Sequence, residues 1–338
     1  MTLIAGLQFQ GVPLLLGDFL ITGSRTYSLK KLHLISHNFV VAWTGHLIVA
    51  EAVLRDVYNE FKGVTVSRER LEQFLSNCTE WVEGDLGVHL VGWLIDSEPH
   101  CFLWNSHYPQ QLFYEEAHID GSGAEVFQDM LKSGTLFAVN RPVTSAVDDA
   151  IITLLTGVCQ LMSDEVLDKN NQQKRFGYAY EILFFDGERF KYVDNILYRT
   201  LDIFYDIDKD GGKYFFYPLA YKYRSFDYFS VVQTFDFNTG AIVLDAITPV
   251  FDQMLDVLPL IPGIDVSKSK GLSLISDFYC LFLRLDASDH SSFTASVVFP
   301  SSQPNLPLVV KNVEGKEIFE FKFAFIPSLY QQLKSLGI

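Results

Sequence analysis

Short apolar blocks separated by Gly, Ser and Asn turns are the feature that most limits what this chain can fold into. Near the N-terminus the blocks cover residues 3–9, 12–16, 19–22, 32–35 and 39–44. Blocks of this length, bounded by turn residues, are typical of β-strands joined as hairpins. The period then changes, because apolar residues follow helical spacing over 49–61 and again over 71–82.

The same alternation continues to about residue 195. The pattern predicts further strands over 88–95, 101–104, 112–114, 178–185 and 190–193, with helices over 124–131 and 144–161. Groups of antiparallel strands followed by paired helices fit sheets stacked face to face with helix layers outside. We therefore expect an α+β fold, a four-layer αββα sandwich, over residues 1–195.

The composition of the chain changes from about residue 196, where strand segments rich in aromatic residues predominate. Strands are predicted over 214–217, 228–235, 278–285 and 293–299, a hairpin over 308–313 and 317–323, and helices over 248–258 and 329–336. We predict that residues 196–338 form an additional β-rich C-terminal domain, whose role the pattern does not indicate.

Composition excludes several classes of protein. Hydrophobic residues make up 49% of the 338 residues and aromatic residues 14%, which is far too much apolar surface for a disordered chain. The formal net charge of −15 argues against nucleic acid or an anionic membrane surface as a partner. No apolar run is long enough to predict a transmembrane helix, and residues 1–20 fit strands better than a signal peptide.

The cysteines and the calcium-like sequence give no metal site. Four scattered cysteines fit reduced thiols, and hence a cytoplasmic protein. The segment Asp206–Gly211 begins like a calcium loop, but Tyr217 stands where the bidentate Glu is needed, which favours a hairpin tip. His100, Cys101 and His107 lack zinc-ligand spacing. We predict neither a metal nor a cofactor.

Thr2 is the residue with the most distinctive chemistry. If the bond after Met1 is cleaved, a free threonine carries a hydroxyl nucleophile and its own base, because the α-amine has a pKa near 8. A terminal Met-Thr is common, however, so this feature needs support from other residues.

That support comes from a pattern that follows Thr2. A strand pair runs from Thr2 to Asp18, Lys31 precedes an apolar block, and Gly45 lies 14 residues after Lys31. This arrangement resembles proteasome β-subunits and their bacterial relatives, the N-terminal-nucleophile threonine hydrolases, over about residues 1–195. The resemblance implies Thr2 as nucleophile, Asp18 and Lys31 as the activating pair, and Gly45 as the backbone donor to the oxyanion. Lys30 is an adjacent alternative for the lysine.

A second match is the Gly-Ser-Gly segment before the helix predicted at 124. In proteasome subunits its serine helps to hold the threonine amine, which implies that role for Ser122. The family also has a further aspartate and serine after its fourth helix, and Asp164 is a candidate stand-in for that aspartate.

The resemblance implies a threonine-type peptidase or amidohydrolase that acts on a peptide or amide substrate without a cofactor. It also implies a homo-oligomer, because members of the family assemble into rings. The alternative is a catalytically inactive scaffold or interaction protein that keeps the architecture and has lost the activity.

Overall fold

A computed structural model gives the fold of the chain. It describes residues 2–21, 27–78, 86–132, 145–167, 177, 179–209, 211–226, 229–239, 241–249, 273–303, 306–313, 316–322 and 324–336. The helices within this part are α1 (Leu47–Phe61), α2 (Arg68–Asn77), α3 (Ala124–Lys132), α4 (Ala146–Leu167) and α5 (Phe325–Leu336).

The strands, in chain order, are β1 (Ile4–Phe9), β2 (Val12–Asp18), β3 (Leu20–Ile21), β4 (Tyr27–Ser28), β5 (Leu32–Ser36), β6 (Phe39–Gly45), β7 (Val88–Ile95), β8 (Pro99–Asn105), β9 (Leu112–Glu115), β10 (His118–Asp120), β11 (Tyr180–Phe185), β12 (Phe190–Tyr192), β13 (Ile196–Asp206), β14 (Gly211–Ser225), β15 (Ser230–Asp236), β16 (Ile242–Ile247), β17 (Phe278–Ala287), β18 (Ser292–Pro300), β19 (Leu308–Val313) and β20 (Lys316–Phe321). The predicted strands and helices that fall on described residues are confirmed, although β14 ends eight residues later and α5 begins four residues earlier than predicted, and β10 and β16 were not predicted. Most of the helix predicted over 248–258 lies outside the described residues.

The first sheet has the order β10-β1-β2-β11-β12, and every neighbouring pair in it is antiparallel. The hairpin of β1 and β2 turns at Gln10 and Gly11, which both have positive φ values, 52° and 78°. Two central residues with positive φ give the tight turn whose twist matches that of paired strands. This hairpin brings the end of β2 back beside Thr2, since Ile4 pairs with Gly17.

The second sheet has the order β5-β6-β7-β8-β9 and packs face to face on the first. A buried cluster with residues from both sheets fills the space between them, and the indole of Trp93 donates to the Leu14 carbonyl oxygen at 2.8 Å. Gly6 allows a close approach, because a Cβ there would lie 2.6 Å from the Cys101 sulfur. Helices α1 and α2 cover the outer face of the second sheet.

The third sheet is six-stranded and mixed, in the order β16-β15-β14-β13-β17-β18. Strands β13 and β17 are parallel, and the other neighbouring pairs are antiparallel. The β19–β20 hairpin and α5 cover one face of this sheet with a mostly aromatic and aliphatic cluster. Asp206 pairs with Gly211 across the tip between β13 and β14, so the hairpin interpretation of this segment is confirmed.

The predicted αββα sandwich is wrong, and the fold is β-rich. Strands take up 49% of the described residues and helices 25%, in sheets that are mostly antiparallel or mixed. The physical reason lies in α4, which is not an outer layer. Its apolar side chains share one buried cluster with β1 and β2 on one side and with β13, β17 and β18 on the other. A helix that is apolar nearly all round gains most when a second sheet covers it.

Helix α4 also bears on the expectation that no membrane helix is present. Residues 146–164 are long and apolar enough to cross a membrane, but 72% of that stretch is buried inside the structure. Such burial is typical of a core helix, and the packing of α4 between two sheets accounts for its apolar character.

Candidate active site

Thr2 lies at the start of the first sheet and is almost fully buried, with 3% of its surface exposed. Its hydroxyl Oγ1 donates to Asp18 Oδ1 at 2.7 Å, and its backbone nitrogen donates to the Ser122 hydroxyl at 3.1 Å. The hairpin of β1 and β2 brings Thr2 and Asp18 together, whereas Ser122 comes from the turn after β10. The nucleophile candidate is therefore held at both its oxygen and its nitrogen.

Asp18 accepts most of the hydrogen bonds around Thr2 and is 0% exposed. Its Oδ1 accepts from Thr2, from the Leu3 amide at 3.0 Å and from the Lys31 ammonium, while Oδ2 accepts from the Gly177 amide at 2.6 Å. Four donors to one carboxylate hold it in a fixed orientation in the interior. It can therefore hold the threonine hydroxyl and the lysine in one geometry.

Lys31 is the lysine that reaches Asp18. It is 0% exposed, forms a buried ion pair with Asp18, and donates to the Leu20 carbonyl oxygen at 2.5 Å. Burial lowers the pKa of the Lys31 ammonium, and the charge and hydrogen bond of Asp18 oppose that shift. Lys30 points elsewhere and pairs with Glu181, so the open choice between the two lysines falls to Lys31.

The Gly-Ser-Gly turn fits tightly around Thr2. The Gly123 amide donates to the Thr2 carbonyl oxygen at 3.2 Å, and Gly121 has a φ of +96°. A Cβ at Gly121 would lie 2.0 Å from the Thr2 carbonyl oxygen. The glycine is thus needed both for its backbone conformation and for the close approach.

Two predicted site residues are not joined to Thr2 by any hydrogen bond of the described part of the chain. Gly45 ends β6 opposite Val88 and has a φ of +116°. A Cβ at this position would collide with the Gly87 carbonyl oxygen. Asp164 lies in the last turn of α4, and its neighbour Ser163 has its hydroxyl 3.4 Å from that of Thr200 in the third sheet. Asp164 is not among the partners of Asp18.

Sequence reasoning missed a second buried ion pair beside the first. Lys30 Nζ lies 2.9 Å from Glu181 Oε1, and both side chains are at most 2% exposed. The only signal for it was the doublet of lysines at 30 and 31 between two apolar strands. Gly177, the donor to Asp18 Oδ2, was missed because its donor is a backbone amide, and the residue type does not show which backbone amides will donate to a side chain.

His89 and Asp120 form a third polar contact near the turn. His89 Nδ1 lies 2.7 Å from Asp120 Oδ2, and Asn105 Nδ2 lies 2.9 Å from His89 Nε2. The hydrogen bond with Asp120 raises the pKa of His89. Because Asp120 pairs with Ile4 and directly precedes Gly121, this contact ties the turn around Thr2 to the second sheet.

No protein-family model matches the chain, and no curated protein matches it significantly. Within the described part of the chain, no three His, Cys, Asp or Glu side chains are grouped so that they could hold a metal ion. Any functional conclusion therefore has to be argued from the geometry around Thr2.

Proposed function

We propose that the protein is a threonine-type peptidase or amidohydrolase whose nucleophile is Thr2, with an α-amine freed by cleavage after Met1. The observation that carries the proposal is the continuous hydrogen-bond path from Thr2 Oγ1 through Asp18 to the Lys31 ammonium, with Ser122 on the Thr2 nitrogen. The same four residues, together with Gly45, carry the resemblance to proteasome β-subunits in the sequence.

The proposed reaction begins with the free amine of Thr2. The amine accepts the proton of Oγ1, and Oγ1 attacks the carbonyl carbon of the amide. The resulting tetrahedral intermediate collapses when the protonated amine gives its proton to the leaving nitrogen. Water, deprotonated by the same amine, then cleaves the threonine ester, and the acid is released. The cycle needs no cofactor.

The buried lysine supplies the electrostatic part of this proposal. A positive charge close to the Thr2 amine favours its neutral form, which is the form that acts as a base. Asp18 keeps the ammonium in place and aims it at the threonine. Gly45 is the proposed backbone donor to the oxyanion, a contact worth about 3 kcal/mol of transition-state stabilisation in enzymes of this kind.

The alternative of a catalytically inactive scaffold is favoured by two observations. Thr2 is 3% exposed, and no hydrogen bond among the described residues joins Asp164 to Thr2 or Asp18. Self-association is compatible with either function, and the assembly into a homo-oligomer stays part of the proposal on the resemblance alone. The same holds for a cytoplasmic location, which agrees with four free, buried cysteines.

The decisive experiment joins the mass of the N-terminal peptide to the turnover of amide substrates. We expect purified protein that begins at Thr2 to hydrolyse members of a peptide amide library, and the Thr2→Ala variant to lose at least about a hundredfold in kcat. Thr156→Ala is the matched control, because Thr156 is a buried threonine whose hydroxyl donates to the Ile152 carbonyl oxygen within α4. A chain that retains Met1, or equal turnover with Thr2→Ala, favours the scaffold.

A further inference from the structure

A buried polar cluster connects the third sheet to the candidate active site. We define the Lys30 cluster as Lys30, Glu181, Tyr223 and Ser230. Glu181 Oε1 accepts from the Ser230 hydroxyl at 2.7 Å and from the Tyr223 hydroxyl at 2.8 Å, and it lies 2.9 Å from Lys30 Nζ. Tyr223 lies in β14 and Ser230 begins β15, so two of the four members belong to the third sheet.

The cluster is next to the Thr2 contacts in both chain and sheet. Lys30 and Lys31 are consecutive and send their ammonium groups to different carboxylates. Across the first sheet, Glu181 pairs with Gly17 and its neighbour Tyr180 pairs with Asp18. The two ion pairs are thus neighbours, because their lysines are consecutive in the chain and their carboxylates lie one position apart on the paired strands β2 and β11.

The backbone of Lys30 is also fixed from the C-terminal part of the chain. Its amide donates to the Thr248 carbonyl oxygen at 2.9 Å, and it forms an isolated parallel bridge with Pro249. The Trp43 indole donates to the Lys30 carbonyl oxygen at 3.3 Å. The residue just before Lys31 is therefore held at its amide, its carbonyl and its ammonium.

Tyr223 makes a second link to the site. Its ring stacks on Phe19 with centroids 6.0 Å apart, and Phe19 directly follows Asp18. Burial raises the pKa of the Tyr223 phenol well above its usual value, so the hydroxyl stays protonated and serves as a donor to Glu181. Removing that donor leaves Glu181 Oε1 with one hydrogen bond fewer to fix its orientation, so that the position in which it holds Lys30 is less well determined.

We infer that Tyr223 and Ser230 of the third sheet are positioning residues for the Lys31–Asp18–Thr2 contacts, and that they act through Glu181 and Lys30. This inference rests on the proposed function for its kinetic consequence. By this inference, residues from the C-terminal part of the chain help to position the residues of the candidate active site. A small displacement of Lys31 changes the electrostatic support of the Thr2 amine and hence the chemical step, while substrate binding is unaffected.

The test uses the full chain with the double variant Tyr223→Phe/Ser230→Ala, which removes two hydroxyl groups and no ring or backbone atom. We expect kcat to fall by about tenfold with KM within twofold, because a misplaced lysine affects the chemical step. Tyr198→Phe is the matched control, since the Tyr198 hydroxyl is buried and has no hydrogen-bond partner among the described residues. Unchanged kcat, or a change confined to KM, overturns the inference.

A second readout separates this inference from the proposed function. The ¹⁵Nζ–¹H signal of the Lys31 ammonium, assigned with Lys31→Arg, reports its position whether or not the protein turns over substrate. We expect the signal to shift, or its hydrogens to exchange at least about tenfold faster, in the double variant but not in Tyr198→Phe. An identical signal overturns the inference, whereas a changed signal without wild-type turnover rejects only the hydrolase. If the double variant does not fold, the two single variants carry the same readouts.

Discussion

At the scale of single residues, the burial of charged side chains near Thr2 lowers the stability of the folded protein. Lys31 and Asp18 are both 0% exposed, and among the described residues each is compensated by the other and by a few hydrogen bonds. Breaking a buried pair by neutralising one partner leaves the other charge without compensation. Such a cost is retained more readily where the charge has a chemical task, which agrees with the proposed role of Lys31.

This arrangement predicts a large effect of Asp18→Asn on stability. We expect the free energy of unfolding to fall by about 3–5 kcal/mol, since the Lys31 ammonium is left buried beside a neutral amide. Urea denaturation measures the change. The control Glu51→Gln removes the exposed ion pair with Arg55 and should change stability by less than about 1 kcal/mol. Equal effects of the two substitutions would show that the buried pair carries no special cost.

At the scale of secondary-structure elements, the turn between β10 and α3 determines where the Thr2 nitrogen and carbonyl lie. Gly121→Ala meets both an unfavourable φ of +96° and a carbonyl oxygen 2.0 Å from the new Cβ. We expect a loss of about 2–4 kcal/mol in the free energy of unfolding and of most turnover. Gly187→Ala is matched, because its φ is +102° and no atom lies within 4 Å of its Cβ. That control should lose only about 1 kcal/mol, and a similar loss in both would refute the steric argument.

The contact between β7 and β10 predicts a dependence of stability on pH. The hydrogen bond with Asp120 raises the pKa of His89 above 6.5, so its contribution is complete below pH 6.5 and disappears as the pH rises through the folded-state value. Burial opposes a lower pKa for Asp120, yet the hydrogen bond and charge of His89 bring it below 3.8, so its contribution is lost only in more acidic solution.

The experiment compares wild type with His89→Gln by urea denaturation at pH 5.5 and pH 8.5. We expect the substitution to cost more at the lower pH, with a difference below about 1 kcal/mol because the pair is partly exposed to solvent. His100→Gln serves as a control for the loss of an imidazole elsewhere in the second sheet. A cost for His89→Gln that is equal at both pH values would contradict the assignment of the proton to this pair.

At the scale of the whole molecule, the third sheet and the first share α4 as a common core layer. Cys159 and Ser163 of α4 face Ser296 and Thr200 in the third sheet, while the same helix packs on β1 and β2. A chain that ends at residue 195 therefore exposes one apolar side of α4. We expect such a truncated chain to bind a hydrophobic dye and to lose the cooperative unfolding of the full chain. A sharp unfolding transition of residues 1–195 alone would contradict this and support two separate domains.

Much of the local structure could be predicted from sequence because its signals are local. The spacing of Val49, Val53 and Val57 identified α1, and the apolar spacing that begins at Leu71 identified α2. Thr2, Asp18, Lys31 and Ser122 were likewise named before their contacts were known, because a family resemblance in spacing pointed to them.

The layer order could not be predicted in this way. The apolar pattern of α4 shows that the helix is buried, but it does not say whether solvent or a third sheet lies beyond it, because many partners can cover the same face. The Lys30 cluster was invisible for a similar reason, since Glu181 and Ser230 are 49 residues apart and each is unremarkable in its own strand.

The sequence by itself determined most of the strands and helices among the described residues, since periodicity and turn chemistry are local signals. Its spacing also led us to propose one site made of Thr2, Asp18, Lys31, Gly45, Ser122 and Asp164. Only the tertiary structure decided that α4 lies between two sheets, that Lys31 and not Lys30 meets Asp18, and that Tyr223 and Ser230 stand behind the site. The physical reason is that burial and ion pairing depend on which surfaces meet in space, and contacts between residues far apart in the chain leave no periodic trace in either segment.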